Sequence, residues 1–490
     1  MKMKLWLTGT LALSLGAVGC SAPPKPEEVA DVTAKRSGQM VRGVGSSLRM
    51  MSKMSSLNGL GEAASVFSGS FSGVPVTGSP DCGTASTPPC TTSPVPDAPD
   101  ATTSEAQAAL VEKYLRERIF TEANVEDTDG GSTVFRIMGD DLCSDGSTAP
   151  DLKCVQAVDQ AELRIRASHR SNDGMDLALL IGPNRAEPVT MSFSDTRAAM
   201  VLDLAGIKDS VRYLDAESAK QLPRVMIGRV ELSLTSMASQ DMTFQTSFLD
   251  PLRVEWDGTD GAYVFTTARA LAMLELTVAP RNDDNWVKFA LNLGPTEFRS
   301  PYAGTAAQFS GKQWVMSLSG LSYVMDVFEH GTEVAVAHIG LGEAQSYVSL
   351  GDQKLFTADL NALSGRHFDL SITQGDDGLP VVSVKPEFDL SLGFALAALK
   401  ADPSYEVPSY YEDDTYRVRL SGGDAPSLRP VRANETTGFP GGLRVVTGEL
   451  SLSAKAGQVT VPAGRCLVGR DAAPEGSHPL LGYFETRDCQ

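Results

Sequence analysis

The residues best able to do chemistry in this chain of 490 are its five histidines and seven cysteines. The histidines are His169, His330, His338, His367 and His478. A zinc site or a nucleophile–base pair needs two or three converging partners. No His-x-His or His-Glu-x-x-His spacing supplies them. The stretch `DTDGGS`, Asp127 to Ser132, starts like a calcium loop. An EF-hand needs an oxygen ligand at its fifth position and a glutamate at its twelfth. Gly131 and Met138 stand there, so that chemistry fails; a less regular site on Asp127, Asp129, Asp140 and Asp141 stays as the alternative to plain acidic turns, the commoner reading of such residues. The sequence `GSFSG` puts Phe71 where a nucleophile elbow carries its serine. No phosphate loop is present, nor a Gly-x-Gly-x-x-Gly motif after a strand. The expectation is therefore no catalytic residue, no metal and no cofactor.

The cysteines carry more. Lys2 and Lys4 precede an apolar run from Leu5 to Val18, and small residues lead to Cys20. A charged start, a short apolar core and a small-residue exit mark a secretory signal peptide. The run is shorter than the ~20 residues a membrane-crossing helix needs. Ala17-Val18-Gly19-Cys20 resembles the lipobox of bacterial lipoproteins, with Ala17 where that family prefers Leu. The resemblance covers the first twenty residues and implies diacylation of the Cys20 sulfur. Ser21, in place of an inner-membrane-retaining aspartate, implies a lipid-anchored outer-membrane destination. The other cysteines fall as close pairs: Cys82 with Cys90, Cys143 with Cys154, and Cys466 with Cys489. In an oxidising compartment such pairs become disulfides. Six cysteines allow fifteen connectivities, and proximity favours these three.

A formal net charge of −19 argues against nucleic acid and against charge-driven binding to anionic lipid. The chain's length predicts more than one domain. Residues 1–19 read as the signal peptide and 20–33, with Pro23, Pro24 and Pro26, as an extended tether. In 34–67, Met40, Val44, Leu48, Met51, Met54 and Leu57 recur at helical spacing, giving an amphipathic Met-rich helix. A Ser/Thr/Pro-rich linker covers 68–103, and a helix capped by Ser104 covers 104–121.

From 133 to 400 the period changes to two. In `AELRIRAS`, `VMIGRVELSL`, `MTFQTSF` and `FDLSLGFAL`, apolar and polar residues alternate, which predicts antiparallel strands with one buried face. Asp173-Gly174, Asp257-Gly258, Asp260-Gly261, His330-Gly331 and Asp377-Gly378 punctuate them as turns. Asp209 to Leu222 is the expected helical exception. A connection over 401–440 leads to a β subdomain at 441–490, with a hairpin turning at Lys455-Ala456-Gly457 and a Cys466–Cys489 staple.

`GELSLSAKAGQVTVPAGRCL` resembles the second hairpin of cupin domains, with Pro462, Ala463 and Gly464 at the turn. The paired metal-binding histidines of that family are missing upstream, where `RANETTGFPGG` stands. The resemblance therefore implies neither site nor activity.

The expected fold is mainly β (α+β). One long, curved antiparallel sheet carries two N-terminal helices and is followed by the small C-terminal subdomain. The expected function is that of a non-enzymatic cell-envelope lipoprotein, tied to the membrane by its N-terminal lipid, that binds a partner protein or supports surface assembly. The alternative is a carrier of a lipid or other hydrophobic ligand in a cavity between the curved sheet and the helices. `WVMSLSGLSYVMDVF` and `EVAVAHIGLG`, which read as strands apolar on both faces, motivate it. A hydrolase with an irregular site ranks last.

Overall fold

A computed structural model describes residues 22–33, 113–143, 152–170, 174–214, 216–236, 242–281, 284–328, 333–342, 344–360, 366–376, 378–431, 442–470 and 472–489. The signal peptide, Cys20, the Met-rich segment 34–67, and the linker with Cys82 and Cys90 lie outside these residues. The chain divides into two compact units. The first takes Met1–Gly43, Pro99–Leu222 and Glu231–Thr235; the second takes Val44–Ala98, Pro223–Val230 and Ser236–Gln490.

In the first unit, β1 (Val125–Asp129), β2 (Ser132–Arg136), β3 (Arg164–Arg170), β4 (Gly174–Ile181), β5 (Ala186–Phe193) and β6 (Arg197–Asp203) form an antiparallel meander. The calcium-like `DTDGGS` is the β1–β2 hairpin, turning at Gly130 and Gly131 with φ of 59° and 84°. Positive φ at both central residues is the I′ turn that suits twisted strands. Helix α1 (Leu152–Ala161) and the single turn Gly139–Leu142 are joined by the Cys143–Cys154 disulfide. Helices α2 (Leu204–Leu214) and α3 (Ala216–Gln221) occupy the stretch expected to be helical.

The expected tether is not extended: residues 26–33 are helical, with Val29 and Ala30 fully buried. They pack with Ile119, Phe120, Phe135, Met175 and Phe193. The described end of the second expected helix includes a π turn, Leu115–Ile119, closed by the Phe120 amide on the Leu115 carbonyl. Phe120 then meets Phe135 edge-on, ring centroids 5.1 Å apart. Thr133 donates to the Pro24 carbonyl at 2.8 Å, which fixes the segment's entry.

The second unit is a run of hairpins dealt alternately to two sheets. It opens with β7 (Val225–Ile227), β8 (Arg229–Ser236), whose central residues belong to the first unit, and β9 (Met242–Phe248). Then follow β10 (Leu252–Gly258), β11 (Gly261–Thr267), β12 (Ala270–Arg281) and β13 (Asp284–Leu293). The next four are β14 (Thr296–Pro301), β15 (Gln313–Leu318), β16 (Leu321–Phe328) and β17 (Glu333–Leu341). After them come β18 (Ser346–Leu350), β19 (Gln353–Leu360), β20 (His367–Gln374) and β21 (Pro380–Lys385). β22 (Phe388–Phe394), β23 (Asp414–Ser421), β24 (Ser427–Pro430) and β25 (Gly442–Thr447) continue the series. It ends with β26 (Glu449–Ala454), β27 (Gly457–Pro462), β28 (Arg465–Gly469) and β29 (Phe484–Asp488).

Within this unit, sheet I pairs β9, β12, β13, β16, β17, β20, β21, β24, β25, β28 and β29 in that order. Sheet II pairs β7, β10, β11, β14, β15, β18, β19, β22, β23, β26 and β27. All pairings are antiparallel. This overturns the single curved sheet: the chain builds two large antiparallel sheets, neither closed nor curled. It also removes the separate C-terminal subdomain. β25, β28 and β29 extend sheet I while β26 and β27 extend sheet II. Of the two expected N-terminal helices, one lies outside the described residues, and the described end of the other packs on the first unit's meander.

Period-two alternation reports the face of a strand, not the sheet it joins. The chain changes sheets at short breaks that glycine permits. `VMIGRVELSL` reads as one strand but divides into β7 and β8 at Gly228. `WVMSLSGLSYVMDVF` divides into β15 and β16 at Ser319-Gly320. Between β25 and β26 the break is Gly448 alone, at φ 82°. A Cβ there would stand 2.5 Å from the Ser421 carbonyl oxygen. Left-handed backbone and steric crowding both demand glycine at that position.

Candidate functional site

In an antiparallel pair, directly opposed residues point to the same face. In sheet II this rule lines up one row across the strands. Met226 pairs with Val254, Val254 with Phe265, and Phe265 with Phe298. The row continues through Met316, Val348 and Phe356 to Phe394. On the same face Leu360 pairs with Leu390, Leu390 with Val418, and Val418 with Leu452. The opposite face of these strands carries Arg253, Glu255, Glu297, Arg299, Asp389 and Arg417, tied in ion pairs such as Arg224–Glu255 at 2.8 Å. Sheet I repeats the arrangement, with Phe244, Leu276, Phe289, Met325, Ala337 and Leu370 in one row. Each sheet therefore has an apolar inner face and a charged outer one.

At the C-terminal end the two inner faces meet. Val445, Leu428, Leu443 and Leu467 of sheet I pack with Leu420, Leu450, Leu452 and Val461 of sheet II. The packing is incomplete. A cavity of about 200 Å³ lies between the sheets. Phe368, Leu370, Val382, Val384, Leu428, Leu443 and Leu467 line it from sheet I. Phe388, Val418, Leu420, Leu450 and Leu452 line it from sheet II. Every lining residue is aliphatic or Phe. Protein interiors rarely leave voids larger than a water molecule, and a void with only apolar walls stays dry and takes apolar guests.

Toward β7 and β9 the described residues leave the inner face partly exposed. Met316 is 55 % exposed, and Phe265, Phe298 and Phe289 are only partly buried. Trp256 and Tyr263 stack with centroids 5.5 Å apart and face Phe298. At the hairpin end of sheet II, Tyr302, Phe309, Leu399 and Tyr405 fold over Trp314 and Leu350. A buried carboxylate, Asp402, fastens these segments. It accepts from the Tyr302 hydroxyl, the Thr305 amide at 2.8 Å, the Thr305 hydroxyl at 3.1 Å and the Ser404 amide at 2.9 Å. Burial alone would push its carboxyl up, but the Tyr302 hydroxyl and the Ser404 and Ala306 amides hold it well below the usual carboxylate range. Its donors belong to the fold, so Asp402 is a latch rather than an acid or base.

The sequence-singled residues do not converge. His478 Nδ1 accepts from the Leu480 and Leu481 amides, each at 3.2 Å, which places the proton on Nε2, 2.9 Å from Asp414 Oδ2. Burial opposes charge on Asp414, yet the Lys455 and Thr415 amides and His478 hold its carboxyl below the ordinary range. With both ring nitrogens engaged, His478 pins the 478–481 turn to β23. His338 meets Asp369 at 2.7 Å on the exposed outer face of sheet I. His169 lies 3.6 Å from Glu28, His367 begins β20, and His330 is outside the described residues. Asp127 and Asp129 lie exposed on β1, and Asp141 accepts from Asn124 at 3.1 Å. Among the described residues no group of three or more His, Cys, Asp or Glu could hold a metal. Cys466 joins Cys489, binding β28 to the end of β29. The cupin-like stretch is the β26–β27 hairpin of sheet II, crossing at Ala463-Gly464 to β28 in sheet I.

Sequence reading missed the interior because its walls come from strands scattered between Phe368 and Leu467. The signal was present: `FDLSI`, `VVSV`, `FDLSLGF`, `YRVRL` and `ELSLS` all turn apolar residues to one side. What no local pattern says is that the sides face each other. The chain matches no protein-family model, no curated protein and no solved structure.

Proposed function

We propose that the second unit is a binding module for an apolar ligand held between its two sheets. The observation that supports this is the cavity of about 200 Å³ with wholly apolar walls. An engineered void of 150 Å³ with such walls binds benzene, so this one has room for a comparable group. The cavity walls carry no charged residue, so a guest there would desolvate no ion. The test is uptake of N-phenyl-1-naphthylamine by delipidated protein, followed by its fluorescence and by native mass spectrometry of the freshly extracted chain. Saturable uptake, displaced by a fatty acid, is expected. A protein that neither takes up the dye nor carries an apolar guest overturns the reading.

We also propose that Cys20 carries a diacylglycerol anchor and holds the module at a membrane of the cell envelope. The basic start, the apolar run and Ala17-Val18-Gly19-Cys20 support this. Multiple acyl chains anchor stably, since each buried methylene adds about 0.8 kcal/mol. Cys20→Ser should move the chain from the membrane fraction to the soluble one. If the wild-type chain is unacylated and partitions like the variant, the anchor reading is wrong.

A further inference from the structure

We infer that the first unit rests directly on the membrane that holds Cys20, and that it presents to the lipid the end of its meander that carries the β1–β2 turn. This rests on the Cys20 anchor proposed above and says which surface of the chain meets the bilayer. Cys20 stands two residues before Ala22, where the described structure begins. By Pro24 the chain is already fastened. That proline is fully buried, and its carbonyl accepts from the buried Thr133 hydroxyl at 2.8 Å. The helix at 26–33 follows at once, with Val29 and Ala30 fully buried against Phe135, Met175 and Phe193. The leash from Cys20 to Pro24 therefore reaches at most ~14 Å, at ~3.5 Å per residue. A tether extended from Cys20 to Thr33 would have reached ~45 Å at the same rise.

The fastening point decides which end of the meander faces the bilayer. Thr133 opposes Thr128, one rung in from the Asp129–Ser132 pair that closes on Gly130 and Gly131. On its other side Thr133 opposes Ala167, which in turn opposes Leu177. From Ala167, β3 runs on to His169 and Arg170 at the same end as the β1–β2 turn, and His169 lies 3.6 Å from Glu28 of the N-terminal helix. In the opposite direction, β4 leads from Leu177 to the exposed Pro183-Asn184-Arg185 turn, ~20 Å away at ~3.4 Å per residue. The two ends of the sheet thus stand ~27 Å apart. That is about twice the leash, so the anchor cannot pass round to the far end. A formal net charge of −19 offers no attraction to an anionic surface. The covalent anchor and the short leash alone supply the contact.

The test measures height above a bilayer. The full-length acylated chain carrying Asp129→Cys or Asn184→Cys is labelled with a fluorophore at the new thiol. It is then reconstituted into phosphatidylcholine vesicles that contain a lipid with a nitroxide on its headgroup. The wild-type chain, taken through the same labelling, supplies the background. Both positions are exposed, so neither substitution disturbs the core. The label of Asp129→Cys should be quenched several-fold more than that of Asn184→Cys. Equal quenching, or stronger quenching at Asn184→Cys, overturns the orientation while leaving the anchor. A second arm inserts a Gly/Ser spacer of about twenty residues between Ser21 and Ala22, a coil of ~25 Å end to end. Membrane partitioning should persist, and quenching of the Asp129→Cys label should fall toward that of Asn184→Cys. Quenching unchanged by the spacer means that something other than the leash holds the unit down, and the inference fails. A wild-type chain that carries no acyl group and stays off the vesicles overturns the inference together with the anchor reading beneath it.

Discussion

Filling the void between the sheets should stabilise the ligand-free protein and remove its ligand. An empty cavity of about 200 Å³ costs ~5 kcal/mol at ~24 cal/mol per Å³. That figure is the ceiling on what any filler can recover. Val382 and Val384 point into the void from neighbouring inward positions of β21, and both are nearly fully buried. Changing each to Ile keeps a β-branched side chain that suits a strand and adds one methylene apiece. At ~0.8 kcal/mol per buried methylene the pair should add ~1.6 kcal/mol. In a unit as large as this one, at ~2.1 cal/mol/K of unfolding entropy per residue, that corresponds to a Tm increase of ~2–3 °C. The assay is differential scanning calorimetry of delipidated wild type and of the Val382→Ile/Val384→Ile variant, repeated with a saturating fatty acid. Wild type should gain more from the ligand than the variant does, because the variant has less space to give. If the two substitutions instead destabilise by 1–3 kcal/mol, the cost of overpacking a full core, the void is not there to fill and the reasoning fails.

Gly448→Ala should destabilise by about 2 kcal/mol or more in urea unfolding, since left-handed backbone costs a side chain ~1–2 kcal/mol and the new Cβ meets the Ser421 carbonyl; a neutral result would mean the crossover is not as described. Cys466→Ser with Cys489→Ser should cost ~3 kcal/mol for a loop of 23 residues, read as a lower urea midpoint that reductant reproduces in the wild type. The Asp402 carboxyl is depressed in the fold, so its contribution is fully present above the unfolded value of ~4 and is lost as pH falls below it. Asp402→Asn should therefore lower thermal stability at pH 7 and flatten its decline between pH 5 and 2; parallel curves would argue against the latch.

The individual strands were plain in the sequence, because half-buried strands advertise themselves by alternation. β9 matches `MTFQTSF` residue for residue, and β22 takes the first seven residues of `FDLSLGFAL`. Asp260-Gly261 and Lys455-Ala456-Gly457 turn where their types predict. The allocation of strands to sheets was not legible. Alternation continues through Gly228 as if the strand were unbroken, and only its positive φ of 111° reveals the break; at Gly320, with φ 144°, the apolar phase shifts from Trp314, Met316 and Leu318 to Leu321, Tyr323 and Met325, a change of side that says nothing of a change of sheet. The helix at 26–33 was hidden by prolines that suggest an extended chain, although Pro26 opens that helix, where its missing N–H costs nothing. The cavity was invisible for a different reason: it is a shortfall of packing among residues up to about a hundred positions apart, each of which is an ordinary inward strand position.

The alternating allocation of hairpins has a consequence for growth. A stretch of chain such as β12 to β15 adds two strands to each sheet and returns to the same starting condition. Insertion or duplication of such a stretch would lengthen the interior and leave its cross-section alone. Length becomes a quantity that selection can set in steps of two strands, ~10 Å at a time, while the chemistry of the wall is inherited unchanged. The breaks between strands are then free to vary in sequence, provided that each keeps a residue able to turn from one sheet to the other.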